Sequence, residues 1–480
     1  MTDESGHNPG MSTSASRTSS IQPALEALQR RISGTVITPD DDAYDDARRV
    51  WNGMIDRRPL AVVRAASTSD IAPTIRAAQD LDLRLAIRGG GHNVAGNGTV
   101  DGGLVLDLGA LSTVDVDPDT REVRVGPGAT LADVDRATEP HALAVPIGVV
   151  SGTGMAGLTL GGGVGWLTRA YGLTIDNLLS ADIVTAAGDQ LRASPSENQE
   201  LFWGIRGGGG NFGVVSGFTF RAYPHGPDIL TGNFIYARAQ WTDALRAYAA
   251  WTADLPDAMT SIISFLVPAA DWDLGDEPLM LVGFAWASPD RAEGLRWVDK
   301  LRGAARPNTE VTDPTAWPAW QSAADGLFPK GSRAYWKNTS FETLDDSTID
   351  TLVRHAHELT WRGTAFDIHH MGGAFGRVPE DATPFPNRSA RYWLNIYGFW
   401  ADPADDERRT AWVRQLAAEM EPHASGGLYL NFLGQERDSV AARDAALAVY
   451  GPDKLERLVG LKRRYDPDNL FRLNHTIPVG

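Results

Sequence analysis

The residues best placed to do chemistry are a histidine set in polyglycine and a handful of tyrosines and histidines later in the chain. The first is RGGGHN, Arg88, Gly89, Gly90, Gly91, His92 and Asn93. Consecutive glycines reach backbone conformations closed to other residues and let a ligand approach the main chain closely. Successive N–H groups in such a turn form an anion-binding concavity, and His92 sits at the point of closest approach. Two more polyglycine segments follow, residues 152–165 and 206–213. Together the three could surround one large, phosphate-bearing aromatic cofactor with backbone donors. Taken alone, RGGGHN also fits an ordinary turn with a solvated histidine.

Other chemistries fit less well. GxGxxG occurs at 152–157 and 208–213, but a nicotinamide dinucleotide site needs that motif between a strand and a helix. The first match runs into Gly161, Gly162 and Gly163, a poor helix start, and the second runs straight into the strand-like Val214-Val215. His369 and His370 are adjacent, so a strand would point them to opposite faces. Neither HExxH nor GxSxG occurs, and no metal site is expected. The chain has no cysteine, which removes disulfides, thiolate metal sites and iron–sulfur clusters.

The elements that must position these residues fall into two halves. A chain of 480 residues suggests two or three domains. In the first half, Ile21 to Ile32 has helical spacing. Ala61-Val62-Val63 reads as a strand, and Ser67 to Asp70 supplies cap candidates for a helix through Ile71, Ile75 and Ala78. Leu83 to Ile87 is a second strand, so the three form a β-α-β unit with both strands in one sheet. Val114–Asp117 and Glu122–Val125 make a hairpin. Thr130 to Thr138 reads as helical; Ala181–Ala186, Gln190–Ala193 and Val214–Tyr223 read as strands, and Glu200 to Ile205 leads into the last polyglycine segment.

Composition changes near Pro224-His225-Gly226-Pro227, with three tryptophans before it and twelve after. Helical patterns then cover Trp241–Leu255, Ser288–Gly303, Ser347–Thr360 and Asp406–Met420. Strand-like runs cover Ile262–Val267, Leu279–Phe284 and Tyr392–Tyr397, and a helix over Asp453–Arg464 closes the chain. The expected fold is α+β with two domains. The division is a disordered tail over 1–21, a first domain over 22–225, a second over 226–425, and a segment over 426–480 returning to the first.

Net charge of −17 argues against a nucleic-acid backbone as partner. The polar N-terminus shows no apolar secretory core, and with the lack of cysteine this points to the cytoplasm. Residues 142–168 are uncharged and long enough to cross a bilayer. Eight glycines and Pro146 in that stretch instead suggest irregular backbone at a ligand site, with no membrane partner.

Five segments carry a family resemblance: RGGGHNVAGNGTVDGGLVLDLGAL, TGMAGLTLGGGVGWLTRAYGLTIDNLLSADIVTAAG, ELFWGIRGGGGNFGVVSGFTF, GLYLNFLG and YDPDNLFRLNHTIP. In this order they resemble the bacterial berberine-bridge-enzyme-like oxidases of the vanillyl-alcohol oxidase/p-cresol methylhydroxylase flavoprotein superfamily. The resemblance implies an FAD-binding domain of two α+β subdomains and a substrate domain whose antiparallel sheet, covered by helices, faces the flavin. It implies FAD bound covalently through His92, with the RxGGH loop holding the diphosphate. Relatives often add a cysteinyl bond. Val150 stands at the matching position here, so the histidyl tether is the one available, as in members of the 6-hydroxy-D-nicotine oxidase type.

The same resemblance places Gly152, Thr153, Gly154, Gly157, Leu158, Gly161, Gly162, Gly165, Asp176, Asn177, Gly210, Asn211, Gly213, Val214, Asn431 and Asn474 in segments that line FAD. It implies oxidation of a small organic molecule by hydride transfer to flavin N5, with dioxygen reduced to hydrogen peroxide. Substrate candidates are an alcohol on a sugar or polyketide-like product of secondary metabolism, and an alkaloid-like amine. A base must take the O–H or N–H proton. Tyr429 of the YxN motif is the first candidate, provided a cation lowers its pKa; Tyr397, His370 and Tyr335 follow. Trp317, Trp320, Trp336, Trp393 and Trp400 could build an aromatic substrate wall or simply fill core. A dehydrogenase with another acceptor and a non-catalytic flavin carrier are the alternatives, and a monomer or homodimer is expected.

Overall fold

The computed structural model describes residues 12–268, 272, 274–360, 362, 365–434, 442–475 and 477–479. The chain builds three main sheets. The first has the strand order Thr35–Ile37, Ala61–Arg64, Leu104–Asp107, Leu85–Arg88. Ala61–Arg64 and Leu85–Arg88 run parallel on either side of Leu104–Asp107, so the two strands of the expected β-α-β unit do share a sheet. All four residues of Leu104–Asp107 are buried, as a parallel strand covered on both faces requires. The helix between, Ile71–Asp80, starts behind the anticipated cap: Ser67 and Asp70 form a capping box, and Asp70 also accepts the N–H groups of Ser33 and Gly34.

The second sheet is antiparallel, in the order Val114–Asp117, Glu122–Val125, Val214–Arg221, Leu178–Val184, Gln190–Ala193. Its apolar face shares one core with the end of the chain. Phe202, Trp203, Phe212 and Phe218 pack with Leu430, Leu455, Leu458 and Ile477. The closing helix spans Ala442–Tyr465 and breaks at Gly451, whose φ of 70° precedes Pro452; the expected helix is its second part.

Seven antiparallel strands make the third sheet, ordered Thr309–Ala316, Asp228–Tyr236, Leu279–Trp286, Met259–Leu266, Ala365–His370, Tyr392–Trp400, Arg333–Phe341. Side chains alternate across a strand. Phe265, Phe366, Ile368, Leu394 and Ile396 therefore turn to one face, where helices Trp241–Thr252, Arg291–Ala304, Asp346–His357 and Asp406–Met420 bury them. The other face carries Trp336, Asn338, Asp367, Asn395 and Tyr397, in cross-strand register with one another. It looks toward the glycine-rich half.

Three features differ from expectation. The first helix is Ser12–Gln29 rather than starting at Ile21, and residues 1–11 of the expected tail lie outside the described residues. Strands Asp228–Tyr236, Thr309–Ala316 and Arg333–Phe341 carry little apolar alternation to announce them. Thr309–Ala316 is a largely exposed edge strand and so tolerates Pro314. The first GxGxxG does lead into a helix, Met155–Gly161, contrary to the reading of that stretch as a poor helix start. The strand before the motif is only Leu143–Ala144, which pairs with Tyr223–Pro224 and belongs to no parallel β-α-β unit.

One buried ion pair anchors the returning segment. Lys462 and Asp466 have fully buried side chains; Lys462 Nζ donates to Asp466 at 2.6 Å, to the Phe471 carbonyl at 2.9 Å and to the Asn211 carbonyl at 3.1 Å. Lys462→Met leaves the carboxylate buried without its cation. We expect a loss of about 3 kcal/mol in denaturant unfolding, the cost of breaking a buried pair by removing one partner; a change below about 0.5 kcal/mol, typical of a surface substitution, would contradict this.

Candidate active site

A cleft enclosing about 1540 Å³, partly open to solvent, lies between the glycine segments and the polar face of the seven-stranded sheet. Its floor is main chain. The first polyglycine loop and the segment at Thr153 touch directly. A Cβ on Gly90 would stand 2.6 Å from the Gly154 backbone, and one on Gly154 would stand 2.4 Å from Gly90 N, so only glycine permits this approach. Gly91, at φ 68°, then turns His92 into the cleft.

Of the residues expected to hold the cofactor, Arg88 to Asn93, Thr153, Gly154, Gly157, Leu158, Gly161, Gly210, Gly213, Val214, Asn431 and Asn474 line this cleft. Arg88 does so only in part. Its guanidinium turns away to Asp107 at 2.9 Å and to the Ala47 carbonyl, pinning the loop to the sheet. Six expected residues are not among the lining: Gly152, Gly162, Gly165, Asp176, Asn177 and Asn211. Asp176 makes a two-pronged ion pair with Arg388, both contacts at 2.8 Å. Asn177 braces the carbonyls of Tyr171 and Leu173. Asn211 bonds the carbonyls of Gly208 and His475, holding the third glycine segment against the chain's end. Gly165 packs against the Ile147 carbonyl, where a Cβ would lie at 1.8 Å, and Gly162 lies against Phe385 and Tyr429.

The far wall is aromatic: Phe328, Trp336, Tyr397, Tyr429 and Phe432. Of the five tryptophans considered, Trp336 alone is part of it. Trp317 bonds Asp135, Trp320 packs on Trp166, Trp393 packs on Phe385, and Trp400 bonds Asp406. His370 is not there either. Strand alternation turns it to the other face, where it meets Arg169 and Tyr392. Tyr335 likewise turns to the helix-covered face and contacts Arg414.

Tyr429 lines the cleft, and its hydroxyl accepts N–H groups from Gly163 at 2.9 Å and Asn431 at 2.8 Å. Burial nevertheless pushes its pKa up to about 12, and among the described residues no cation stands by to lower it. Tyr397 is different. On the adjacent strand, half-buried Asp367 is its diagonal neighbour and is hydrogen-bonded to it. Desolvation raises the Asp367 pKa to about 7. Asp367 is not among the residues expected from the sequence; it lies two before His369 on the same face of that strand, and only the cross-strand pairing brings it to Tyr397. His92 lies between floor and wall. Desolvation lowers its pKa to about 4, against a smaller upward pull from Asp325, so the imidazole is neutral at neutral pH.

No carboxylate lines the cleft among the described residues, so a diphosphate would meet main-chain N–H groups without side-chain repulsion. The donor set fits FAD: glycine backbone for the phosphates, a neutral imidazole mid-way, and aromatic rings beyond. Those residues hold no potential metal cluster, and none of their helices is long and apolar enough to cross a membrane.

Family models agree with this geometry. One described as "FAD binding domain" matches residues 59–194, and one described as "Berberine and berberine like" matches residues 429–478. The chain is 31% identical to (R)-6-hydroxynicotine oxidase of Paenarthrobacter nicotinovorans over 463 residues, covering 93% of this chain and 97% of that protein. The structure of 6-hydroxy-D-nicotine oxidase from Arthrobacter nicotinovorans superposes with a TM-score of 0.81 at 28% identity, over 94% of this chain and 98% of that one. Xylooligosaccharide oxidase from Myceliophthora thermophila C1, solved with xylobiose, shares the fold with a TM-score of 0.83 at 21% identity, over 95% of this chain and 98% of that one. Fold and cleft thus define an FAD-binding oxidoreductase. The chain belongs to the berberine-bridge-enzyme-like FAD-linked oxidoreductases of the vanillyl-alcohol oxidase/p-cresol methylhydroxylase superfamily.

Gly154→Ala tests the floor. The added Cβ has no room against Gly90, so the purified variant should keep its far-ultraviolet circular dichroism and lose most of its flavin absorbance per protein. A variant with full flavin content would show that the two loops need not touch.

Proposed function

We propose that this protein is an oxidase of a small alcohol or amine, carrying FAD through a covalent bond at His92 and passing the electrons to dioxygen to give hydrogen peroxide. Bound FAD supplies the acceptor for a hydride from the substrate C–H. The observation that carries the reading is the meeting of the Tyr397–Asp367 pair, Tyr429 and His92 around one aromatic-walled cleft.

Tyr397 does the proton work. Its hydroxyl oxygen takes the substrate's O–H or N–H proton while its own proton passes to the Asp367 carboxylate, so neither phenolate nor free proton is needed. Tyr429 stays a phenol. Gly163 and Asn431 occupy its acceptor positions, which leaves its O–H to orient the substrate's heteroatom. Phe328, Trp336 and Phe432 exclude water and favour a flat, largely apolar substrate. An alkaloid-like amine or an aromatic polyketide-like alcohol therefore fits better than a free sugar, and the nicotine-derived substrate in the name of one relative is in keeping with this.

Anaerobic bleaching of the flavin by a panel of aromatic amines, polycyclic alcohols and oligosaccharides is the direct test. The reading expects bleaching by a member of the first two classes and rapid reoxidation in air with peroxide formed. Slow reoxidation in air would identify a dehydrogenase instead.

The base has its own signature. Asp367 accepts a proton only when ionised, so flavin reduction should rise with pH through a step near 7 and level off above it. Asp367→Asn should abolish the step, and Tyr397→Phe should slow reduction about 100-fold, the usual scale of general-base catalysis. Unchanged reduction in Tyr397→Phe with a large loss in Tyr429→Phe would return the role to Tyr429.

A further inference from the structure

The ring of His92 needs something to aim it. The outer torsion of a histidine side chain is broad, so the ring turns freely unless a contact holds it. The imidazole's hydrogen bond is to its own backbone, and among the described residues no other side chain hydrogen-bonds it. What it does meet is the face of Trp51, with ring centroids 4.7 Å apart and planes inclined by 23°.

Trp51 is itself held from several sides. Its N–H donates to the Gly91 carbonyl at 3.0 Å, its carbonyl accepts from Gly331 N–H at 2.8 Å, and its indole Nε1 donates to the Phe328 carbonyl at 3.2 Å. Its ring packs edge-on against Trp336 at 5.4 Å and Phe399 at 5.9 Å. Next to it, Asn52 bridges the two halves of the molecule. Its side-chain amide donates to Val94 and Ala334 carbonyls at 2.7 and 2.8 Å and accepts from Ala334 N–H. The indole is thus a fixed plate beside the loop that carries His92.

We propose that Trp51 is a positioning residue for covalent flavin attachment: by stacking on His92 it holds a ring nitrogen in line with the 8α-carbon of FAD. The proposal rests on the His92 tether. In the attachment an N–C bond forms between imidazole and the 8α-carbon. One hydrogen leaves the methyl group and one leaves the imidazole nitrogen, and the two electrons and two protons pass to the isoalloxazine ring. Dioxygen takes them up as hydrogen peroxide and restores oxidised flavin. The attacking nitrogen's lone pair lies in the ring plane, so a stack that fixes the plane fixes the direction of attack. The neutrality of His92 keeps that lone pair available.

The test uses the full chain expressed under riboflavin limitation and then mixed with FAD in air. Acid-precipitable flavin fluorescence is followed over time, and FAD binding is measured separately by fluorescence quenching. Wild type should attach flavin to completion. Trp51→Leu should bind FAD with unchanged Kd yet attach it at least about tenfold more slowly, as expected when a reacting group is misaligned. Trp51→Phe should restore most of the rate, because an aromatic plate is what the ring needs. Attachment by Trp51→Leu at the wild-type rate would overturn the proposal, as would a Trp51→Phe protein as slow as Trp51→Leu. Trp51→Met gives a second non-aromatic variant. If both non-aromatic variants lose FAD binding altogether, Trp51 serves loop architecture and the proposal falls. Wild type that binds FAD and yields no acid-stable flavin would instead overturn the tether itself.

Discussion

The close approach of Gly90 and Gly154 is the contact on which the site depends. Each stands where the other's side chain would have to be, with 2.6 and 2.4 Å available to a Cβ. Because these two backbones touch, the loop bearing His92 lies directly on the segment that opens helix Met155–Gly161. The floor of the cleft is then nearly continuous main chain, which can offer N–H groups to phosphates without bringing negative charge. In a protein with a net charge of −17, that matters. A diphosphate site assembled from side chains would have had to find cations; on the proposed reading the backbone takes that part and Arg88 is left to pin the loop to Asp107.

Above this floor, the seven-stranded sheet divides its work by face. The period of two sends aliphatic and phenyl side chains into a helix-covered core and leaves Asp367, Asn338, Asn395, Tyr397 and Trp336 on the cleft side. Asn338 then exchanges two hydrogen bonds with the Tyr429 backbone, at 2.8 and 3.0 Å. The returning C-terminal segment is therefore locked to the sheet at the point where Tyr429 enters the cleft. Lys462 and Asp466 lock its other end to the glycine half. Tyr429, the Tyr397–Asp367 pair and His92 come from four separate stretches of chain, and these ties hold them in register.

Much of this was legible in the sequence because its signals were local. Polyglycine before a strand, the Ser67–Asp70 cap and the hairpin at 114–125 each depend on a few neighbouring residues, and they appear as read. The RGGGHN loop and the YxN motif both reach the cleft. What escaped was set by tertiary contact. Trp51 gains its meaning only from stacking on His92, some forty residues on. Asp367 gains its meaning from a cross-strand neighbour. Asp176 and Asn211 lie in glycine-rich, cleft-bordering segments, yet their side chains are spent on Arg388 and on backbone carbonyls. His370 is a candidate base by residue type, but strand parity places it behind the sheet.

The central claim is a flavin bonded to His92 in a chain that has no cysteine to offer a second attachment. Intact-mass spectrometry of the denatured, freshly purified protein tests it most directly. The expected main species is heavier than the polypeptide by one FAD less two hydrogens, with the added mass on the peptide containing His92. A main species at the bare polypeptide mass, from protein that was yellow before denaturation, would contradict it.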